Sequence, residues 1–593
     1  MSIKTRLRVA FLPLVTGFGF AGCSDYADNP AGATPNDPSG SGGADTVAGA
    51  AGSGTQTGGT APGGAGTEGN PTVGGLAAGG SPPTGVVACD ESVIGGTAPN
   101  TLTVDVDGAA TVIPKEIFGV LLEILGNNIN NGVYVGTTSA IPNTQGVRND
   151  IIEGFREAGV GAIQWPGGCA ANNYNWETNL NPLNTMGTDL FMEFSEMVDA
   201  EPYLVGRPQD TFAESNRQWV EYVNNNPEHP EWNLKYFKVG NEVWGCGGNL
   251  PHDPGQGQDP AVGLQTYETW YNANYDALNT PINGKDLFLV GATGGIWTVN
   301  PNTDNWLTLM MTPESLNDRV DGIEIHDYLY FPEASDTPIP NIGFSDDQYY
   351  RLVNLANEGQ IAPRLRNIDS ILDRNDPEGR IKVMLDEWGN WLVEFNASDT
   401  WLQQGTLFDA ISAGTHLNVF MAHADRVLMA GLAQSTNVIQ SLFLTNTASG
   451  GTDLVKTPTF YVFKLYVPHH VNGATWAPNT LTSENITGNG QTFPVLSVGT
   501  TVDAAGGVNI SLVNVDLVNS RTIDVTLDSD WAAYGVSSAQ VITGAQKDSY
   551  NDFGQPEVVN IQTLDAASYQ GCGRSLSVTL PAKSVAMLRL DRR

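Results

Sequence analysis

Two stretches of the chain place carboxylates where extended, half-apolar sequence gives way to loop. Tyr236-Phe-Lys-Val-Gly-Asn-Glu242 ends on an Asn-Glu pair with glycines close behind, and Lys382-Val-Met-Leu-Asp-Glu387 ends on two acids. An acid at such a point is partly withdrawn from water and can still meet a ligand. Two of them held close in a desolvated mouth do not both ionise freely, so one keeps its proton near neutral pH. Such a pair offers one group to protonate a leaving oxygen and another to attack carbon. A lone strand-end Glu is more often a salt-bridge partner or a solvated rim residue. The reading therefore needs a scaffold that brings Glu242 and Glu387 together.

The sequence between and around them supplies one. Short apolar runs at 117–123, 160–166, 202–206, 237–242, 287–292, 322–328, 382–388 and 426–434 alternate with amphipathic stretches such as 150–158, 188–198 and 406–420. In the second of these Phe191, Phe194, Met197 and Val198 share a face, with Thr188 placed to cap. The alternation predicts an α/β fold, a closed (β/α)8 TIM barrel over residues 115–470. An open doubly wound sheet is the competing topology, but no glycine-rich phosphate fingerprint follows the first strand.

In a parallel barrel, ligands meet the carboxyl ends of the strands. Those ends carry Glu123, Trp165-Pro-Gly-Gly168, Asn241-Glu242, His326-Asp-Tyr328, Asp386-Glu-Trp388 and Gln434. Glu242 and Glu387 end strands four and seven, across the mouth from each other. Each has a neighbouring tryptophan (Trp244, Trp388), a side chain whose face can stack on the C–H face of a sugar ring. Trp165 is equally readable as a sugar platform or as core packing. His326 is equally readable as a carboxylate's partner or as a satisfied core imidazole.

Beyond residue 471 the helical rhythm stops, and Val/Leu/Thr-rich runs punctuated by Gly, Asn and Asp predict a β-sandwich over 471–593. The run Thr101-Leu-Thr-Val-Asp-Val-Asp107 alternates with period two, which suits an antiparallel sheet better than a barrel. Residues 96–114 are therefore expected to join that sandwich.

Composition narrows the partners. The chain of 593 residues carries 28 Lys+Arg against 64 Asp+Glu, a formal net charge of −36. Such a surface repels nucleic acid and anionic lipid but not a neutral polysaccharide. With seven histidines and no C-x-x-C among five cysteines, nothing points to a metal site or to a cofactor. Lys4, Arg6 and Arg8 precede an apolar stretch ending in Ala21-Gly-Cys23, a secretory signal over residues 1–23. Cys23 after Ala-Gly resembles a bacterial lipobox, which makes it a lipidation candidate; ordinary cleavage is the alternative. Residues 24–95 are dominated by Gly, Ala, Thr, Ser and Pro, too poor in large apolar side chains to fold, and read as a disordered tether. Contact with a membrane is expected only through Cys23, on an exported protein at the outer membrane or cell surface, or else secreted or periplasmic. Export permits disulfides. Cys169–Cys246, in the loops after strands two and four, is one candidate pair, with two buried thiols as its alternative. Cys89–Cys572, joining the two ends of the sandwich, is another.

The ordered motifs Phe118-Gly-Val-Leu-Leu-Glu123, Trp165-Pro-Gly-Gly-Cys169, Gly240-Asn-Glu-Val-Trp-Gly245, Ile325-His-Asp-Tyr328, Leu385-Asp-Glu-Trp-Gly389 and His423-Ala-Asp-Arg426 onward to Gln434 resemble glycoside hydrolase family 51, chiefly α-L-arabinofuranosidases. The resemblance implies a retaining double displacement that releases terminal arabinofuranosyl units from arabinan, arabinoxylan or their fragments. By it Glu242 is the acid/base and Glu387 the nucleophile. Asn241 binds the sugar 2-hydroxyl, Glu123 the outer hydroxyls, Tyr328 orients the nucleophile and Gln434 is a further sugar ligand. A retaining β-xylosidase or endo-β-glucanase, and a non-catalytic polysaccharide-binding surface lipoprotein, are the alternatives. The sequence departs from the family pattern where Ile124 follows Glu123 in place of His, and where Gln164 precedes Trp165 in place of Arg. It also departs in the long loop 251–263 and in Val205-Gly-Arg-Pro208.

Overall fold

The computed structural model describes residues 98–180, 185–243, 246, 260–293, 301–330, 343–392 and 401–593. The expected signal and tether, Cys23, Cys89 and with it the expected Cys89–Cys572 pairing, Trp244 and most of the loop 251–263 lie outside the described residues.

Eight strands form a closed parallel barrel: β1 (Gly119–Leu121), β2 (Ala162–Trp165), β3 (Glu201–Gly206), β4 (Tyr236–Val239), β5 (Phe288–Ala292), β6 (Gly322–Tyr330), β7 (Lys382–Trp391) and β8 (Val427–Leu432). Each pairs with its sequence neighbour, and β8 closes on β1. The strands are apolar because both faces are covered, one by the helical ring and one by the barrel interior. At the amino end of that interior, Ala162, Tyr203, Tyr236, Val290, Met384 and Met429 form a buried cluster of their own. Two residues further along β2, β4 and β7 stand Gln164, Lys238 and Asp386, which with Glu324 of β6 are all buried. The barrel thus changes from apolar to charged toward the end where ligands bind.

Most of the remaining strands make two sheets, one of five strands and one of seven, and three two-stranded sheets hold the others. The Asn100–Asp105 strand joins the five-stranded sheet, burying Leu102 and Val104 and exposing Thr101, Thr103 and Asp105. It runs antiparallel to Asn479–Thr482 as expected, but parallel to Arg521–Asp528. Period-two alternation reports only that one face is covered, and a mixed sheet satisfies it equally well.

The helices hold two corrections. Thr188 does not cap: it is the first residue of the Thr188–Val198 helix, Gly187 precedes it, and its hydroxyl accepts a hydrogen bond from the Trp219 indole at 3.0 Å. The helix Leu407–Ala422 is not amphipathic, since Leu407 through Met421 are all buried between barrel and sandwich. A helix covered on every side needs no polar face. Its polar residues are spent inward, with Asn418 bonding Ser497 and Ser511 of the sandwich and accepting from Tyr466.

Candidate active site

On β7 two consecutive acids point into the same space, which regular alternation forbids. The register against β6 slips here: Glu324 faces Met384, yet His326 faces Glu387, so β7 carries an extra residue. Such a bulge re-aims side chains. Asp386 reaches down to Lys238 at 2.9 Å and to the Tyr203 hydroxyl at 3.1 Å. Glu387 turns up to the Tyr328 hydroxyl, which donates to its Oε2 at 2.8 Å. Trp388 is thereby sent out of the barrel, where it stacks on Phe463 and meets Phe420 and His416. Its expected place beside a sugar is therefore corrected: it is core.

After β4 the chain breaks from the strand at Gly240, whose φ of +82° and approach to Pro208 exclude a side chain. Glu242 itself has φ +39°, a left-handed conformation that a glutamate adopts only when its surroundings enforce it. The surroundings are specific. The side-chain amide of Asn172 accepts from the Asn241 N–H at 2.8 Å and donates to the Asn241 carbonyl at 2.7 Å. The Glu242 N–H donates to Glu324 at 3.3 Å. The Cys246 N–H donates to the Glu242 carbonyl, and Cys246 is disulfide-bonded to Cys169, which opens the short helix that carries Asn172. Two loops are thus tied together around one peptide unit.

His326 of β6 joins the two acids. Its Nδ1 lies 2.8 Å from Glu242 Oε1 and 3.2 Å from Glu387 Oε2, while its Nε2 lies 2.7 Å from Glu324. One ligand atom from each of Glu242, His326 and Glu387 falls within 4.8 Å of the others. A second such group, Glu324, His326 and Asp386, lies beneath. Either set is compact enough for a cation, but the charges that face these acids in the structure are Lys238 and the imidazole itself.

Acids outnumber cations here, and the proton affinities follow. Burial, with the charges of Glu387 and Glu242, raises Glu123 to about 8. Burial raises Glu387 to about 7; Glu242 adds to this, while His326, Lys238 and the Tyr328 hydrogen bond oppose it. Burial would lower His326, but Glu387 and Glu324 outweigh it and hold the imidazole protonated well above its usual range. Burial would raise Glu324, and Lys238 and His326 pull it below the usual carboxylate range instead. The result is a proton kept within the cluster at neutral pH over a fixed imidazolium.

Glu123, just past β1, completes the mouth. Gln434 donates to its Oε2 at 2.6 Å, and Asn128 in turn donates to Gln434 Oε1 at 3.1 Å. Gly168 lies so close that a Cβ there would stand 1.5 Å from the Glu123 carboxylate. Trp165 is not at the mouth. Fully buried, it stacks on Phe191 and packs against Tyr174 and Trp219, so its reading as a substrate platform is corrected to packing. The strand alternation that turns Gln164 inward turns Trp165 outward.

The structure therefore brings together Glu123, Asn241, Glu242, His326, Tyr328, Glu387 and Gln434. It adds Lys238, Glu324, Asn172 and Asn128, which the sequence does not single out, and gives a place in the site to Asp386, expected only as a strand-end acid. Two signals were present: a lysine inside the apolar run Tyr236-Phe-Lys-Val239, and Glu324, His326 and Tyr328 in period two on one strand. Asn172 gives no local signal, because its partner is backbone far along the chain.

Known proteins resemble this chain along most of its length. The family described as the α-L-arabinofuranosidase C-terminal domain matches residues 386–584. An intracellular exo-α-L-arabinofuranosidase of Bacteroides ovatus is 31% identical over 523 residues, covering 83% of this chain and 95% of the relative. The α-L-arabinofuranosidase C of Emericella nidulans is 25% identical over 511 residues, covering 78% and 93%. Among solved structures, the GH51 arabinofuranosidase from Xanthomonas axonopodis pv. citri superposes with a TM-score of 0.73 at 27% identity, covering 84% of this chain and all of that one. With a barrel that carries two facing glutamates at its carboxyl end, and relatives that match it nearly end to end, the chain belongs to the glycoside hydrolase family 51 α-L-arabinofuranosidases.

Proposed function

We propose that the chain is a retaining, exo-acting α-L-arabinofuranosidase that releases terminal arabinofuranosyl units from arabinan, arabinoxylan or their oligosaccharides. The observation that carries the mechanism is the approach of Glu242 and Glu387, bridged by one imidazole nitrogen and within 4.8 Å through their nearest oxygens. Retaining enzymes need carboxyl groups about 5–5.5 Å apart; inverting ones need about 6.5–9.5 Å, to admit a water. The names of the relatives support the substrate.

In this reading Glu387 attacks the anomeric carbon. Its Oε2 is held by Tyr328 and His326, whereas Oε1 has no hydrogen-bond partner among the described residues and carries the attacking lone pair. Glu242 gives its proton to the glycosidic oxygen as the C–O bond breaks. It then takes a proton from water, which attacks the glycosyl-enzyme and releases Glu387. His326 passes its hydrogen bond between the two carboxylates as their charges change. Asn241 and Glu123 hold the sugar hydroxyls. Hydrolysis of an aryl α-L-arabinofuranoside tests the reading, with Glu387→Ala as control. Turnover by wild type and none by the variant is expected; equal rates overturn it. A panel that includes β-xylosides and β-glucans separates the alternatives, because an exo-enzyme yields only monosaccharide.

The basic, apolar, Ala-Gly-Cys leader and the tether after it support export with a lipid on Cys23. A disulfide beside the acid/base is also suited to an oxidising compartment. The word intracellular belongs to the Bacteroides relative's name. Fatty-acid labelling and membrane fractionation of wild type and Cys23→Ser test this. Labelled wild type in the membrane fraction with soluble Cys23→Ser is expected, and unlabelled soluble wild type contradicts it.

A further inference from the structure

We propose that Lys238 is a positioning residue for the reaction: from β4, beneath the carboxylate pair, its ammonium supplies the fixed positive charge facing Glu387 and holds the Asn241 amide with its donor side toward the sugar. The inference rests on the arabinofuranosidase reading above.

Lys238 is fully buried inside the barrel, where an ammonium persists only if it is paired. It has three N–H donors and three acceptors within reach: Asn241 Oδ1 at 2.7 Å, Asp386 Oδ2 at 2.9 Å and Glu324 Oε1 at 3.1 Å. Both acids are themselves fully buried. With every donor committed, the ammonium has one orientation. An ammonium cannot accept, so the Asn241 atom that faces it is the carbonyl oxygen. The amide N–H groups are thereby turned away from Lys238, to the side where the Cys246 sulfur lies at 4.0 Å.

Packing does not call for this lysine. Two residues earlier the same strand turns Tyr236 into the apolar cluster, and a neutral side chain at 238 would extend that layer. The groups that face the ammonium explain it better. Glu324 and His326 face it from β6 and Asp386 and Glu387 from β7; Tyr203 of β3 reaches it through Asp386. Asn241 and Glu242 stand above it, and Glu123 completes the cluster from β1. Gln164 of β2 is buried and uncharged. His326 is the other cation, and it is a titrating one. Burial would lower Lys238, but Asp386, Glu324 and Glu387 raise it above its ordinary value, so it stays charged throughout the working range. Its charge is among the influences that oppose the rise of Glu387.

The test is the pH dependence of kcat/KM on an aryl α-L-arabinofuranoside for wild type, Lys238→Met, Asp386→Asn and the double variant. Loss of the ammonium moves the acid limb up by about one pH unit, and loss of the Asp386 charge moves it down by a similar amount. The double variant returns toward wild type, because the two charges removed are opposite. Limb position does not depend on the folded fraction, so partial misfolding does not imitate the result. Should Lys238→Met fail to fold, Lys238→Gln, neutral yet still able to donate to the buried acids, carries the same upward shift of the acid limb. With Asn241 released, Lys238→Met also loses more in kcat than it gains in KM. Coincident limbs in all four proteins overturn the inference, as does a double variant with the limb of Lys238→Met. If wild type hydrolyses the substrate and Glu387→Gln does not, such a failure falls on Lys238 alone. If wild type is inactive, the arabinofuranosidase reading fails first and takes this inference with it.

Discussion

The two ends of the barrel interior are built from the same strands and follow opposite rules. At the amino end, β2, β3, β4, β5, β7 and β8 turn in Ala162, Tyr203, Tyr236, Val290, Met384 and Met429, which touch mainly one another. At the carboxyl end the strands present Lys238, Glu324, His326, Asp386 and Glu387, every one buried and every one paired. Apolar residues fill such space at no cost in desolvation, whereas a buried ionic network is at best near break-even for stability. The contrast teaches that the upper layer is kept for what it does to protons and orientation, and the lower layer for what it does to the fold. Substitutions should divide the same way.

The largest effects are expected at the top. Glu387→Gln lowers kcat by about 10⁴-fold or more, because no second group can form the covalent intermediate. Glu242→Ala lowers it by about 10²–10⁴-fold on a substrate with a poor leaving group and by less on an aryl one. Steady-state kinetics on paired substrates read both. At the bottom, Met429→Ala removes buried volume and is expected to cost about 2–5 kcal/mol of stability while leaving the pH profile where it was. Denaturation together with a pH–rate series checks this. A shift of the acid limb in Met429→Ala would break the division between the layers.

A smaller effect links the two. Glu123 at about 8 and Glu387 at about 7 bind their protons more tightly folded than unfolded, where a glutamate sits near 4.5. The stability they contribute is full below that unfolded value and is lost as pH rises through 7 and 8. Glu387→Gln is therefore expected to raise the melting temperature at pH 8 by on the order of one or two degrees and to change nothing at pH 4.5. Tyr328→Phe is expected to show the smallest change, about tenfold in kcat/KM, with an acid limb displaced upward because one donor to the Glu387 anion is gone.

Much of this was legible in the sequence, for reasons that differ by element. The strand runs were readable because both faces of a parallel strand are covered, and Glu242, Glu387, His326 and Tyr328 were readable as polar ends on such strands. The turn at Glu242 was not: the run 237–242 reads as continuous strand, and only long-range bonds from Asn172 and Glu324 force the chain to leave it at Gly240. The tryptophans misled. Trp165 and Trp388 adjoin site residues in sequence, and the alternation of a strand puts the neighbour of an inward residue outside. The buried face of the helix Leu407–Ala422 depends on a sandwich that local periodicity does not report. Lys238 was visible as a charge in an apolar run, but its meaning depends on Glu324 and Asp386, which only the closed barrel brings to it.

Glu242 and Glu387 stand close enough for direct attack on the sugar. The configuration of the first product tests it most directly, followed by proton NMR during hydrolysis of an aryl α-L-arabinofuranoside before mutarotation sets in. With the two carboxylates this close, α-L-arabinofuranose is expected to form first, with the configuration of the substrate retained. Initial release of the β-anomer would require a water between the two carboxylates and would contradict it.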